Sequence, residues 1–187
     1  MEKKQGRICT HIVLTVLLGA CSLLLSGDDE YIYWQEQREL HWTDFRKTPP
    51  SNHRFSAQSW VGLDVDGHCV EGRFYYDVTA FFNRDSSWVN RKRLGDKLLR
   101  HEQGHFDIAE IAARQLRKEL QELGETCNDV EKMKKTVNRL TTFNRMKLNM
   151  EQSDYDTETR NGGDSKKQKQ WQEKMGHRLQ QLESYQE

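Results

Sequence analysis

His101-Glu102-Gln103-Gly104-His105 is the segment whose residue types and spacing point to chemistry: two histidines four apart, with a glutamate beside the first, form the zinc-hydrolase pattern H-E-x-x-H. On a helix, a spacing of four leaves the two imidazoles about 40° apart and one turn displaced, so both can reach one metal ion. Glu102 then sits about 100° round, beside the ion rather than on it. A carboxylate so placed can take a proton from water that the ion has acidified, while the ion polarises a scissile carbonyl. The chemistry implied is hydrolysis of an amide, with His101 and His105 as zinc ligands and Glu102 as general base.

A pattern with three fixed positions also arises by chance on solvated helices, so its surroundings decide. Leu94, Leu98, Ile108, Ala112 and Leu116 all fall within about 60° of the His101/His105 direction on a helical projection. The histidines therefore lie on the core-facing stripe, where an imidazole needs a partner.

Two histidines leave a zinc site one protein ligand short, with a further position for water. The long motif H-E-x-x-H-x-x-G-x-x-H is excluded, because Ile108 and Ile111 occupy its glycine and third-ligand positions. Glu110 points about 180° from His101 on a continuous helix and is better placed to pair with Arg114. Asp107 is also off the ligand face. Downstream, Tyr155-Asp156-Thr157-Glu158-Thr159 supplies two carboxylates and a phenol in what reads as a polar loop, residues 153–164. Asp156 is the leading third ligand and Glu158 the alternative, with Tyr155 as a hydrogen-bond donor to a developing oxyanion; the plain alternative for all three is a capped turn.

The elements that must position these residues are legible in outline. Phe55 to Val89 has a β texture, with Ser59–Leu63 and Arg73–Phe82 as strands and Asp66-Gly67 as the turn between them. A helical pattern runs from Lys92 to Leu123, stopped by Gly124. A second helix is expected from Asn128 to Gln152, with Val130, Met133, Val137, Leu140, Phe143 and Met150 along its packing side. The third runs from Lys166 to the end, with Trp171, Met175, Leu179, Leu182 and Tyr185 inward and Lys166-Lys167-Gln168-Lys169 as a solvated face. The fold class is thus α+β: a small antiparallel sheet packed on a metal-binding helix, followed by further helices.

Length and composition agree with one modest domain: 187 residues, 35% hydrophobic and 31% charged. With 29 basic and 29 acidic residues well mixed, the chain has no electrostatic footprint for nucleic acid. At the amino terminus, Lys3, Lys4 and Arg7 precede an apolar run from Ile12 to Leu25, too short for a comfortable span, so residues 1–26 read as an export signal. Leu18-Gly19-Ala20-Cys21 matches a bacterial lipobox. Cys21 would then carry lipid and be the only membrane contact; cleavage near Ser26 or an uncleaved anchor are the alternatives. Residues 27–187 form the exported domain, in the periplasm or anchored to the outer membrane. Its two cysteines, Cys69 and Cys127, are expected to form a disulfide across the metal helix, since neither has the C-x-x-C spacing of a metal pair.

The block His101-Glu-Gln-Gly-His-Phe-Asp-Ile-Ala-Glu110 with the downstream Tyr155-Asp156-x-Glu158-Thr159, the opening Trp42-Thr43-Asp44-Phe45 and the segment Phe82–Trp88 resemble the bacterial domain-of-unknown-function family 922. The likeness spans most of residues 31–175. One departure is Asn161-Gly162, where the family often has His-Gly. The resemblance implies a zincin-like fold and a zinc-dependent protease, with a strand near Val78–Phe82 that could hold an extended peptide by edge pairing. The function expected is therefore an exported zinc metallopeptidase acting on peptides or proteins. The alternatives are a non-catalytic envelope scaffold on the same fold and a zinc amidase acting on peptidoglycan.

Overall fold

The computed structural model describes residues 30–35 and 39–186. The segment read as an export signal, with Cys9, Cys21 and the expected lipobox, lies outside them. Among the described residues, no helix is long and apolar enough to cross a membrane.

Five strands and three helices follow one another in the order β1 (Tyr31–Tyr33), β2 (Ala57–Gln58), β3 (Val61–Val70), β4 (Arg73–Asn83), β5 (Trp88–Val89), α1 (Asp96–Gln121), α2 (Val130–Thr159) and α3 (Ser165–Gln181). The expected α+β class holds. The main sheet is antiparallel in the order β1-β4-β3, and β2 pairs with β5 in a separate two-stranded ribbon. Along β4, Phe74, Val78, Ala80 and Phe82 are buried while Tyr75 and Asp77 are exposed, the alternation of a sheet with one face on a core.

The hairpin turn is not at Asp66-Gly67. Those residues pair with Asp77 and Tyr76 in mid-strand, and the chain reverses at Glu71-Gly72, both with positive φ (51° and 78°). Two left-handed residues make the type of turn whose twist matches the strands it joins. Gly67 has another reason to be glycine: an added Cβ would lie 3.1 Å from Val137 Cγ1, where α2 crosses the sheet. β4 is also the central strand rather than an open edge. β1 covers Phe81–Asn83, and the carbonyls of Val78 and Ala80 accept hydrogen bonds from Arg117 Nε at 2.7 Å and Trp34 N at 3.0 Å. The edge-pairing site expected at Val78–Phe82 is therefore filled from within the chain.

α1 packs against β4, α2 and α3, so it is buried on most sides. Phe106, Ile108, Ile111, Leu116 and Leu120 have no exposed surface. Charged residues are drawn inside with it. Glu110 is 2% exposed and accepts hydrogen bonds from Arg114 Nε at 2.8 Å and Arg117 Nη1 at 3.1 Å. Arg114 also donates to the Leu179 carbonyl and Arg117 to those of Val78 and Tyr185. The expected Glu110–Arg114 pair is thus formed, as part of a buried clamp joining the sheet, α1 and the carboxyl-terminal turn.

α2 is a full turn and more longer than its composition suggests. Residues 153–159, which read as loop, are helical to Thr159. Their Ser, Asp and Thr are weak helix formers, but burial of Tyr155 and Thr159, each without exposed surface, overrides propensity. The inward face of α2 is Val137, Thr141, Asn144, Leu148, Tyr155 and Thr159, whereas Val130, Phe143 and Met150 of the expected apolar stripe are 47–61% exposed. The helix ends at Arg160, which with Asn161 and Gly162 gives three successive positive φ values (53°, 52° and 76°) and turns the chain into α3. Asp164 caps α3 by accepting from Lys166 N and Lys167 N, each at 3.0 Å.

Cys69 and Cys127 are disulfide-bonded across a separation of 58 residues, joining the end of β3 to the α1–α2 connection. Cys127 N donates to Gly72 O and Phe74 N to Glu125 O, both at 2.8 Å, so the bond fastens a backbone junction already in register. A loop of that length gives a chain-entropy stabilisation of about 4 kcal/mol. Cys127→Ala should lower the unfolding free energy by about that amount, read from urea transitions of the oxidised protein and the variant; coincident transitions would show the link to be energetically idle.

Candidate metal centre

His101, on the second turn of α1, is 2% exposed and His105 8% exposed. Both project from the helix toward α2, where Asp156 sits one turn before the helix end. Asp156 Oδ1 lies 3.1 Å from His101 Nε2 and 3.1 Å from His105 Nε2. All three ligand atoms fall within 4.8 Å of one another. Donor atoms on adjacent vertices of a tetrahedral zinc site, each about 2.0–2.1 Å from the ion, are about 3.3 Å apart. The observed spacing suits that donor set.

The far side of each ring is also held. His101 Nδ1 donates to Gln168 Oε1 at 3.1 Å, and His105 Nδ1 donates to Gln152 Oε1. Gln152 Nε2 returns a bond to the His105 carbonyl at 2.8 Å, which orients the amide. An amide oxygen only accepts, so each Nδ1 carries a proton; Nε2 then holds the lone pair of a neutral ring, and in a charged ring it donates to Asp156. Charge follows from this crowding. Burial works against a charged imidazole at His105, yet the adjoining carboxylates Asp156 and Glu102 raise its pKa overall. Burial likewise opposes ionisation of Asp156, but hydrogen bonds from His101 and His105 hold its carboxyl well below the usual carboxylate range.

Tyr155 is the platform beneath. Its ring stacks on His101 at 4.6 Å and meets His105 edge-on at 5.0 Å. Its hydroxyl donates to the His101 carbonyl at 3.2 Å and accepts from Gln168 Nε2. Burial drives its pKa up. With no exposed surface and both hydroxyl roles taken, Tyr155 is not available to the oxyanion expected from the sequence; it positions the histidines instead. The same seat accounts for Gly104, since an added Cβ would come within 2.2 Å of the Tyr155 oxygen. Gly162 closes the other side, where a Cβ would sit 2.9 Å from that of His101.

Glu158, the alternative third ligand, is excluded by direction. Two residues beyond Asp156 on the helix, it is exposed and accepts from Trp171 Nε1 at 3.1 Å, with Lys167 Nζ at 3.6 Å. Asp107 faces the opposite side of α1, where Trp34 Nε1 and Gln103 Nε2 donate to it at 3.0 and 2.9 Å.

Glu102 is 3% exposed and accepts from Ser59 Oγ at 2.7 Å. It opens, with His101, His105 and Asp156, onto a cleft of about 670 Å³. One wall is the segment Arg54–Val61, which includes β2; the other is the end of α2 with Arg160 and Asn161. Among the described residues β2 pairs only with β5, and since Asn90 N donates to the Ser56 carbonyl at 2.8 Å, Ala57, one residue on, turns its backbone groups away from that pairing.

His101, Glu102, His105 and Asp156 are thus brought together as the spacing and the downstream acid suggested. Ser59, Gln152 and Gln168 were not foreseen. Gln152 carried a signal, since it precedes Asp156 by four and shares its helical face once α2 is extended. Gln168, read as part of a solvated face, is 5% exposed, and nothing in its spacing reveals that.

No curated protein and no solved structure matches the chain. Residues 63–163 match the family described as "Bacterial protein of unknown function (DUF922)". That span includes α1, α2 and all four cleft-facing residues above, and omits Ser59 and Gln168. Covering more than half of the sequence, the match makes this chain a member of the DUF922 family.

Proposed function

We propose that the protein is a zinc-dependent metallopeptidase on a zincin-like fold, exported by virtue of its amino-terminal signal. The observation that carries this reading is the convergence of two imidazole Nε2 atoms on one carboxylate oxygen, each 3.1 Å from it. With each Nδ1 bonded to a glutamine oxygen, a neutral imidazole leaves its Nε2 lone pair at that point for a positive charge. A zinc ion held by His101, His105 and Asp156 supplies the charge, and with it the Lewis acidity that acidifies water and polarises an amide carbonyl.

The chain's own groups do the rest. Glu102 lies next to His101 yet outside the donor set, free to accept a proton from water and pass it to the leaving amine. Ser59, by donating to Oε2, fixes which carboxylate oxygen faces the cleft. The outward backbone edge of β2 at Ala57 offers an extended peptide a strand to lie against, the role first assigned to β4. A peptidoglycan amide has the same chemistry at its scissile bond and enters the same substrate survey.

Purified protein should contain near-stoichiometric zinc by elemental analysis, and His101→Ala should lose it. Absence of zinc from both would favour a binding protein on this scaffold. Glu102→Gln should keep its zinc and lose hydrolysis of a peptide library by at least about a hundredfold; retained turnover would remove Glu102 from its role. Gln168→Leu, which leaves the donor set intact, should weaken zinc binding by about 10–100-fold in a chelator competition, and an unchanged affinity would show that His101 is oriented without the amide.

A further inference from the structure

We infer that the cleft selects acidic peptide segments, with Arg54 and Arg160 as the residues that recognise substrate carboxylates. This deepens the metallopeptidase reading and rests on it. The chain as a whole is electrically balanced, 29 basic against 29 acidic residues, and around the cleft the two signs differ in how they are held. The acids that line it are Glu102 and Asp156. Both are engaged, the first by Ser59 and the second by the two histidines. The cations that line it are Arg54 on one wall and Arg160 on the other. Both are exposed, and among the described residues neither guanidinium donates a hydrogen bond or forms an ion pair.

Each lip is reinforced by a second cation. Arg93 Nη1 reaches Ser56 Oγ at 3.5 Å on the wall of Arg54, and Lys97 Nζ donates to the Gly163 carbonyl at 2.8 Å beside the turn that begins at Arg160. Of the nearby acids, Asp164 caps α3 and feels the charge of Arg160 without a direct ion pair, and Asp154 faces a neighbouring depression across Asn149. Arg160 follows Asp156 by four residues and, in the left-handed turn that ends α2, lines the same cleft. A planar fork of N–H donors free of internal partners is suited to bidentate capture of a carboxylate. Between the arginines, Phe55 and Trp60, 48% and 54% exposed, give the same wall an apolar surface for the intervening side chains. An extended acidic segment satisfies all of these groups at once; a basic one would meet four cations and the bound metal.

The test uses binding, so that it does not depend on turnover. Zinc-loaded full-length protein carrying Glu102→Gln is titrated into three fluorescein-labelled octapeptides of alternating alanine and X, where X is Glu, Gln or Lys, with anisotropy as the readout. The Glu peptide should bind about tenfold more tightly than its Gln isostere, more weakly as salt is raised, and the Lys peptide should bind least. In the additional Arg54→Gln/Arg160→Gln background the Glu-to-Gln ratio should fall to within about twofold, and Arg54→Lys/Arg160→Lys should restore part of it. Equal affinity for Glu and Gln peptides, no binding of either, or a preference that survives the double Gln substitution would overturn the inference. So would displacement by heparin as effective as by the Glu peptide, which would mark a general polyanion surface. Failure of the wild type to hydrolyse any peptide while the Glu preference persists would overturn the peptidase reading alone.

Discussion

His101 Nε2 and His105 Nε2 converge on Asp156 Oδ1, each at 3.1 Å, and a protein interior tolerates three such polar groups only when each is partnered and held in place; most of this fold can be understood as what holds them there. Each ring is clamped from behind and below: by Gln152 and Gln168 at Nδ1, and by the face and edge of Tyr155. These clamps come from two helices, α2 and α3. Removing any one would loosen the orientation of a ring.

α1 serves this constraint by being buried almost all round. A helix carrying two histidines and a glutamate inward is poorly driven into a core by apolar residues alone. Its opposite side makes up the difference, where Glu110 binds Arg114 and Arg117 and they in turn bind carbonyls from β4 and the carboxyl-terminal segment. That network seats the helix in depth and rotation. A buried ion pair adds little net stability over well-packed apolar residues, but breaking one member leaves charge stranded inside, which penalises any helix rotation that would misdirect the histidines.

How much of this could be read beforehand follows the physics of each element. The His101/His105 pair and Glu102 were legible because helical periodicity is local and strict, and the apolar stripe through Leu98, Ile108 and Leu116 gave their orientation. Asp156 was legible as chemistry but not as structure. Residues 153–159 lack helix formers, and only the burial of Tyr155 beneath His101 makes them helical. The hairpin misled for a related reason: Asp66-Gly67 has the better turn composition, but Gly67 answers to Val137 of a distant helix, while Glu71-Gly72 makes the reversal. Gln168 and Ser59 were invisible, since a hydrogen bond made across more than forty residues leaves no periodic trace.

Gly104 shows that the two open letters of H-E-x-x-H are not open here. The first, Gln103, accepts from the Leu40 amide and donates to Asp107, tying the amino-terminal segment to α1. The second must lack a side chain because a phenol occupies the space. Positions 104 and 155 therefore form one steric unit: a sequence that places alanine or larger at 104 has to shrink the aromatic at 155, and with it give up the stacking surface beneath the first histidine. In related chains the pair should change together or not at all, so the fourth letter of the motif foretells the residue found fifty-one positions later.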